Sequence, residues 1–99
     1  MARWETHQKD GNAEALYAIA RGLGFSVEVI NRPVDALFGL YDQTVAVEVK
    51  MPPAPLERGQ VKFFRTFKGL CRVLRTPEDV ARLYEELRDR HRRIEGISA

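Results

Sequence analysis

Asp35, Glu48 and Lys50 are the residues of this chain whose types and spacing could do chemistry together. Residues 34–50 form two short apolar runs around a polar break at Asp42-Gln43, the pattern of a β-hairpin. In the second run Val45, Val47 and Val49 point one way and Ala46, Glu48 and Lys50 the other, because successive side chains of a strand alternate. With a loop of about two to four residues, pairing brings Asp35 opposite Glu48 or within about two residues of it. Two carboxylates on neighbouring strands, with a lysine just beyond one of them, can hold a hard divalent cation.

The elements that must position these residues are legible from the patterning. Residues 1–9 are expected to be irregular, with Trp4 packing back on the fold. Asp10 or Asn12 is placed as the N-cap of a helix over residues 12–21, with Leu16, Ile19, Ala20 and Leu23 as its apolar stripe and Gly22 and Gly24 as its stop. Residues 25–30 alternate and are rich in β-formers, giving the first strand. The hairpin gives the second and third strands. The three prolines of residues 51–56 exclude regular structure there. A second helix over residues 57–67 is expected to turn Val61, Phe64 and Phe67 inward and Gln60 and Lys62 elsewhere. Residues 70–74 read as a fourth strand, and Thr76-Pro77-Glu78-Asp79 as a strong helix start. The last helix is expected to bury Val80, Leu83, Tyr84 and Leu87 before a charged extension from Arg88 to Arg93. The order is αβββαβα, an α/β domain with a four-stranded mixed sheet flanked by helices. The fourth strand should run parallel to a strand of the hairpin, because a helical crossover precedes it.

Length and composition bound the reading. Ninety-nine residues suit one domain, with 1–9 and 90–99 peripheral to it. A net charge of +2 is too small to make the chain a polybasic tail, so any nucleic-acid affinity requires folding to concentrate the basic residues. Cys71 is the single cysteine, which excludes an intrachain disulfide and fits a reducing cytoplasm. Residues 1–10 have no apolar core of a signal peptide. No apolar run approaches the roughly 18 residues of a membrane span.

The element order, with Pro33-Val34-Asp35, Glu48-Val49-Lys50 and Gln60 on the following helix, resembles the PD-(D/E)XK nuclease superfamily. Within it the chain looks most like the minimal VRR-Nuc type and Holliday-junction-resolvase-like nucleases, over about residues 10–87. One departure stands out: the proline and aspartate, usually adjacent in the family, are separated here by Val34. The proline is not a ligand, so the chemistry should be little affected. The resemblance implies a restriction-endonuclease-like core and Mg²⁺ or Mn²⁺ held by Asp35 and Glu48. The Val49 carbonyl would be a further ligand, and Glu14, with Asp10 as second choice, the acid of the first helix. Such an ion activates water and neutralises charge building on a phosphate. Lys50 would orient or help activate that water, or stabilise the transition state. Gln60 would contact the water or a substrate phosphate. The implied activity is hydrolysis of DNA phosphodiester bonds by a Mg²⁺-dependent endonuclease, structure-selective for flaps or junctions and working as a homodimer. Its rivals are a non-catalytic DNA- or protein-binding module on the same fold, and a restriction-type or RNA-directed nuclease.

Each part has a plainer reading. Glu48 and Lys50 alone make an ordinary solvent-facing pair on an amphipathic strand. Glu14 suits a helix dipole in a first turn, and Gln60 an exposed helix surface. Arg58, Lys62, Arg65 and Lys68 could grip phosphates or form a solvated basic face. His7 and His91 show no zinc spacing, and Cys71 suits a buried small hydrophobe.

Overall fold

A computed structural model describes residues 2–96, with side chains from Asn12 onward. Helix α1 spans Ala2–Gly22, strand β1 Ser26–Val29, β2 Ala36–Leu40 and β3 Gln43–Val49. Helix α2 spans Arg58–Thr66, β4 Leu70–Leu74 and α3 Pro77–Glu95. The chain is thus an αβββαβα domain with one mixed sheet in the order β1-β2-β3-β4. The first three strands are antiparallel, and β4 joins β3 in parallel across the α2 crossover, as expected.

The first helix begins earlier than its caps predicted. Residues 2–9 are helical rather than irregular, so neither Asp10 nor Asn12 caps α1, and Glu14 lies in mid-helix instead of the first turn. One glycine weakens a helix by only about 1 kcal/mol, and the helix formers on both sides of Gly11 outweigh that. The packing of Trp4, the side chain of Asp10 and that of His7 lie outside the described residues. The C-terminal end follows the rule: Gly24 has φ +108°, and the Phe25 and Gly24 N–H groups donate to the Ala20 and Arg21 carbonyls at 3.0 Å. That is a Schellman stop, which satisfies carbonyls the helix leaves orphaned.

The hairpin turns one residue before the expected polar break. Leu40 pairs with Gln43, and Tyr41 and Asp42 both have positive φ, 52° and 63°. Such a two-residue turn matches the right-handed twist of its strands, although tyrosine is an unusual occupant. Tyr41 is held there by α3. Its ring stacks on His91 at 4.8 Å and lies 6.4 Å from Tyr84. The Gln43 amide donates to the Leu87 carbonyl at 2.8 Å and accepts from Arg90 Nε at 3.0 Å. Arg90 and His91, expected to be peripheral, therefore fasten α3 to the hairpin.

One face of the sheet carries the core. Ala36, Phe38, Val45, Val47, Val49 and Leu74 pack with Leu16, Tyr17 and Ala20 of α1 and Val80, Leu83 and Leu87 of α3. Tyr84 is half-buried at the edge of this cluster, less enclosed than expected, because its ring faces the hairpin turn. Ile19 and Leu23, assigned to the apolar stripe of α1, are exposed. Cys71 is only partly buried, on the opposite sheet face from the core. No helix among the described residues is long and apolar enough to cross a membrane.

The start of α3 is as its sequence implies. Thr76 Oγ1 accepts from the Asp79 N–H at 3.2 Å, and Asp79 Oδ2 accepts from the N–H groups of Arg75 and Thr76 at 2.8 and 3.1 Å. Burial alone would raise the Asp79 pKa, but these hydrogen bonds and Arg82 outweigh it and hold the carboxyl below its ordinary value. A carboxyl with a lowered folded-state pKa stabilises the fold above its unfolded-state pKa, and that stability is lost as pH falls through the folded value. Asp79→Asn should therefore melt below wild type at pH 7, and the gap should close on acidification below about pH 4. Thr76→Ala should cost about 1 kcal/mol at any pH, seen as a melting temperature lower by about 4–8 °C.

Candidate active site

The acids lie on the sheet face opposite the core. Val47 and Val49 point into the core, so alternation turns Glu48 to the other side. The β2–β3 register pairs Ala36 with Val47, and Asp35 immediately precedes β2. Asp35, whose carboxylate reaches the backbone of Val49, lies beside the end of β3 that carries Glu48, away from the hairpin turn.

Asp35 is fixed from two sides. Its backbone carbonyl accepts from the N–H groups of Ile30 and Asn31 at 2.9 and 3.1 Å, closing the loop between β1 and β2. Its Oδ2 accepts from the Val49 N–H at 2.8 Å. Val49 thus contributes a backbone donor that orients the aspartate, besides the carbonyl considered as a ligand.

Glu48 is 2% exposed and Lys50 8%. Lys50 Nζ lies 3.9 Å from Glu48 Oε2, and its backbone N–H donates to the Leu74 carbonyl at 3.1 Å, which ties the end of β3 to β4. These are not residues of a solvent-facing strand pair, so that plainer reading fails for both. Gln60 is not a bystander on an exposed helix either. Its Nε2 donates to Glu48 Oε2 at 2.6 Å, and its Oε1 accepts from the Glu57 N–H at 2.8 Å. One amide therefore caps the first turn of α2 and positions the carboxylate of β3.

This bond sets which side of α2 faces the sheet, and it corrects the expected orientation. Gln60 points inward, whereas Val61 and Phe67, expected to face inward, are 40% and 45% exposed; Phe64 is half-buried. No side chain of α2 is buried. Phe63 stacks on Phe67 at 4.8 Å, so the aromatic cluster shields itself along the helix.

The remaining candidates divide. Glu14 is exposed on α1. No three His, Cys, Asp or Glu side chains among the described residues gather as a metal group, so Glu14 does not join Asp35 and Glu48. Arg58, Lys62 and Arg65 line a shallow groove of about 580 Å³ along α2, with Leu56, Val61 and Thr66. Lys68 is exposed just past the end of that helix. A second groove, of about 570 Å³, adjoins the Gln60–Glu48 pair and is lined by Arg32, Pro33, Glu57, Gly59 and Gln60. Arg32 and Gly59 carried no signal in the sequence, because only the fold brings the loop between β1 and β2 beside α2.

The donor set suits a hard cation. Asp35, just ahead of β2, and Glu48 on β3 offer carboxylate oxygen, and Mg²⁺ needs only one or two protein carboxylates because it keeps several waters. No protein-family model matches the chain, and no curated protein or solved structure matches it.

Proposed function

We propose that this chain is a metal-dependent nuclease of the PD-(D/E)XK kind, hydrolysing DNA phosphodiester bonds at Asp35, Glu48 and Lys50. The observation that carries the reading is the burial of Glu48 and Lys50 beside each other, with the Asp35 carboxylate accepting from the N–H of Val49 between them in sequence. Taking two charges out of water gives little or no net stability compared with apolar residues of similar shape. A buried pair of this kind beside a third ionisable group is accounted for better by chemistry than by folding.

In this reading Asp35 and Glu48 hold Mg²⁺ or Mn²⁺, which supplies an activated water and neutralises phosphate charge when bound. Val49 orients Asp35 through its N–H. Gln60 orients Glu48. Lys50 presents a fixed positive charge where negative charge grows on the scissile phosphate, and it does so from a site largely closed to water. Arg58, Lys62 and Arg65 extend the positive surface along α2 for flanking phosphates. A homodimer belongs to the same proposal: Val61 and Phe67 leave apolar surface uncovered, and two sites would serve both strands of a flap or junction.

The test is a cleavage panel. Purified protein is incubated with labelled linear duplex, single-stranded, flap and four-way-junction DNA, and with RNA, in Mg²⁺, Mn²⁺ or EDTA. The expected result is metal-dependent cutting that Asp35→Ala removes, with the preferred substrate naming the subclass. No cutting of any substrate by the folded protein, together with binding that Asp35→Ala leaves unchanged, would leave a non-catalytic binding module in its place.

A further inference from the structure

The groove between the β1–β2 loop and the first turn of α2 contains a residue that folding alone does not call for. Gly59 is the second residue of α2, and glycine is among the poorest helix formers. Its φ is not positive, and an added Cβ would meet nothing within 4 Å. Neither backbone conformation nor packing inside this chain requires glycine there. A glycine at such a place leaves room for another molecule's backbone to come close. The same groove is lined by Arg32. Arg32 is exposed and has no carboxylate in ion-pair distance among the described residues. An unengaged guanidinium beside an open helix surface suits a tetrahedral dianion or a phosphodiester, which it can bond through two N–H groups. Gln60 lines the groove as well and donates to Glu48, so whatever occupies it lies next to the candidate site.

We infer that this groove seats one phosphate of a nucleic-acid backbone adjacent to the bond that is cut, with Arg32 as its cation and Gly59 as the gap that admits it. The inference rests on the nuclease reading and adds to it a position on the substrate. Glu57 is the acid among the lining residues. It is exposed, and it opposes phosphate binding, so removing its charge has the opposite sign to removing that of Arg32.

The test measures binding of a fluorescein-labelled DNA duplex by anisotropy in EDTA, over a range of salt, for wild type, Arg32→Ala, Arg32→Lys, Glu57→Gln, Gly59→Ala and Gly59→Leu. Melting temperatures are taken for each. Arg32→Ala is expected to weaken binding about tenfold at low salt and to lower the slope of log K against log salt by about 0.9. Arg32→Lys restores the slope but only part of the affinity. Glu57→Gln tightens binding. Gly59→Ala and Gly59→Leu melt at or above wild type, since both replacements are better helix formers, yet Gly59→Leu loses binding by about tenfold or more. Wild-type affinity and slope in Arg32→Ala and Gly59→Leu, in a protein that does bind and cut DNA, would overturn this inference and leave the nuclease reading standing. A wild type that binds no nucleic acid would overturn both.

Discussion

The double variant Glu48→Gln/Lys50→Met is expected to cleave nothing and to melt at or above wild type, while each single variant melts below it. The reason is the burial of both groups. Breaking a buried pair leaves one charge without its counter-charge and costs about 3–5 kcal/mol. In Lys50→Met the loss should fall at the low end of that range, because Gln60 still donates to Glu48 at 2.6 Å. In Glu48→Gln the ammonium of Lys50 stays enclosed without a carboxylate 3.9 Å away, so this variant should be the less stable of the two. Removing both charges removes the desolvation cost of both, and the amide that replaces the carboxylate can still accept from Gln60 through its carbonyl oxygen. For catalysis, Lys50→Met alone should lower the cleavage rate by about 10²–10³-fold, the effect of deleting one fixed electrostatic group aimed at developing charge. Melting curves and cleavage rates on the four proteins of this cycle separate the two effects. Additive stability losses in the double variant would mean that the pair is not coupled and that its burial needs another explanation.

Phe38→Ala is expected to destabilise the fold strongly, with a clearly lower urea midpoint. Phe38 is fully enclosed, with Phe25 at 5.3 Å and Tyr17 at 6.0 Å in a tilted and an edge-to-face arrangement. Deleting such a ring costs about 3–5 kcal/mol. A domain of this size has roughly 5–15 kcal/mol in all, so the loss consumes about a fifth of it at the least. The ring also joins β2 to α1, and β2 follows directly from Asp35. Urea denaturation should show the midpoint falling without a change in slope. Phe38→Leu, which keeps most of the volume, should cost under about 1.5 kcal/mol and retain the site. A Phe38→Ala midpoint close to wild type would mean that the core is formed elsewhere.

These two sites differ in how far the sequence alone reached them. Strict alternation through Val45, Val47 and Val49 leaves Glu48 one face to occupy, because a one-residue slip would move three valines out of the core. Asp35 then follows from counting back through a short turn, and a turn displaced by one residue stayed within the expected range. Thr76 and Asp79 were legible because a cap is a local device. The orientation of α2 was not. Its apolar residues suggested an inward stripe through Val61 and Phe67, but a hydrogen bond to Glu48 twelve residues away decides which side docks. That partner is tertiary, and no helical period encodes it. Arg32 was missed for the same reason, since its neighbours Gly59 and Gln60 come from another element. The start of α1 was missed because Asp10 and Asn12 were read as caps where both are helix-interior residues.

Gln60 ties the first turn of α2 to Glu48, while α2 itself buries no side chain. A helix held so lightly opens at a small fraction of the free energy of global unfolding. Each opening breaks the Gln60 bond to the Glu48 carboxylate, so the fraction of molecules with that bond in place follows the closed fraction of this one helix. Amide hydrogen exchange along α2 would then report on catalytic competence directly. A substrate that bridges α2 and the β1–β2 loop would raise the closed fraction and appear to bind more weakly than its contacts alone imply, by the share spent on closure. In kinetic language, the substrate of the proposed reaction would assemble the site that acts on it.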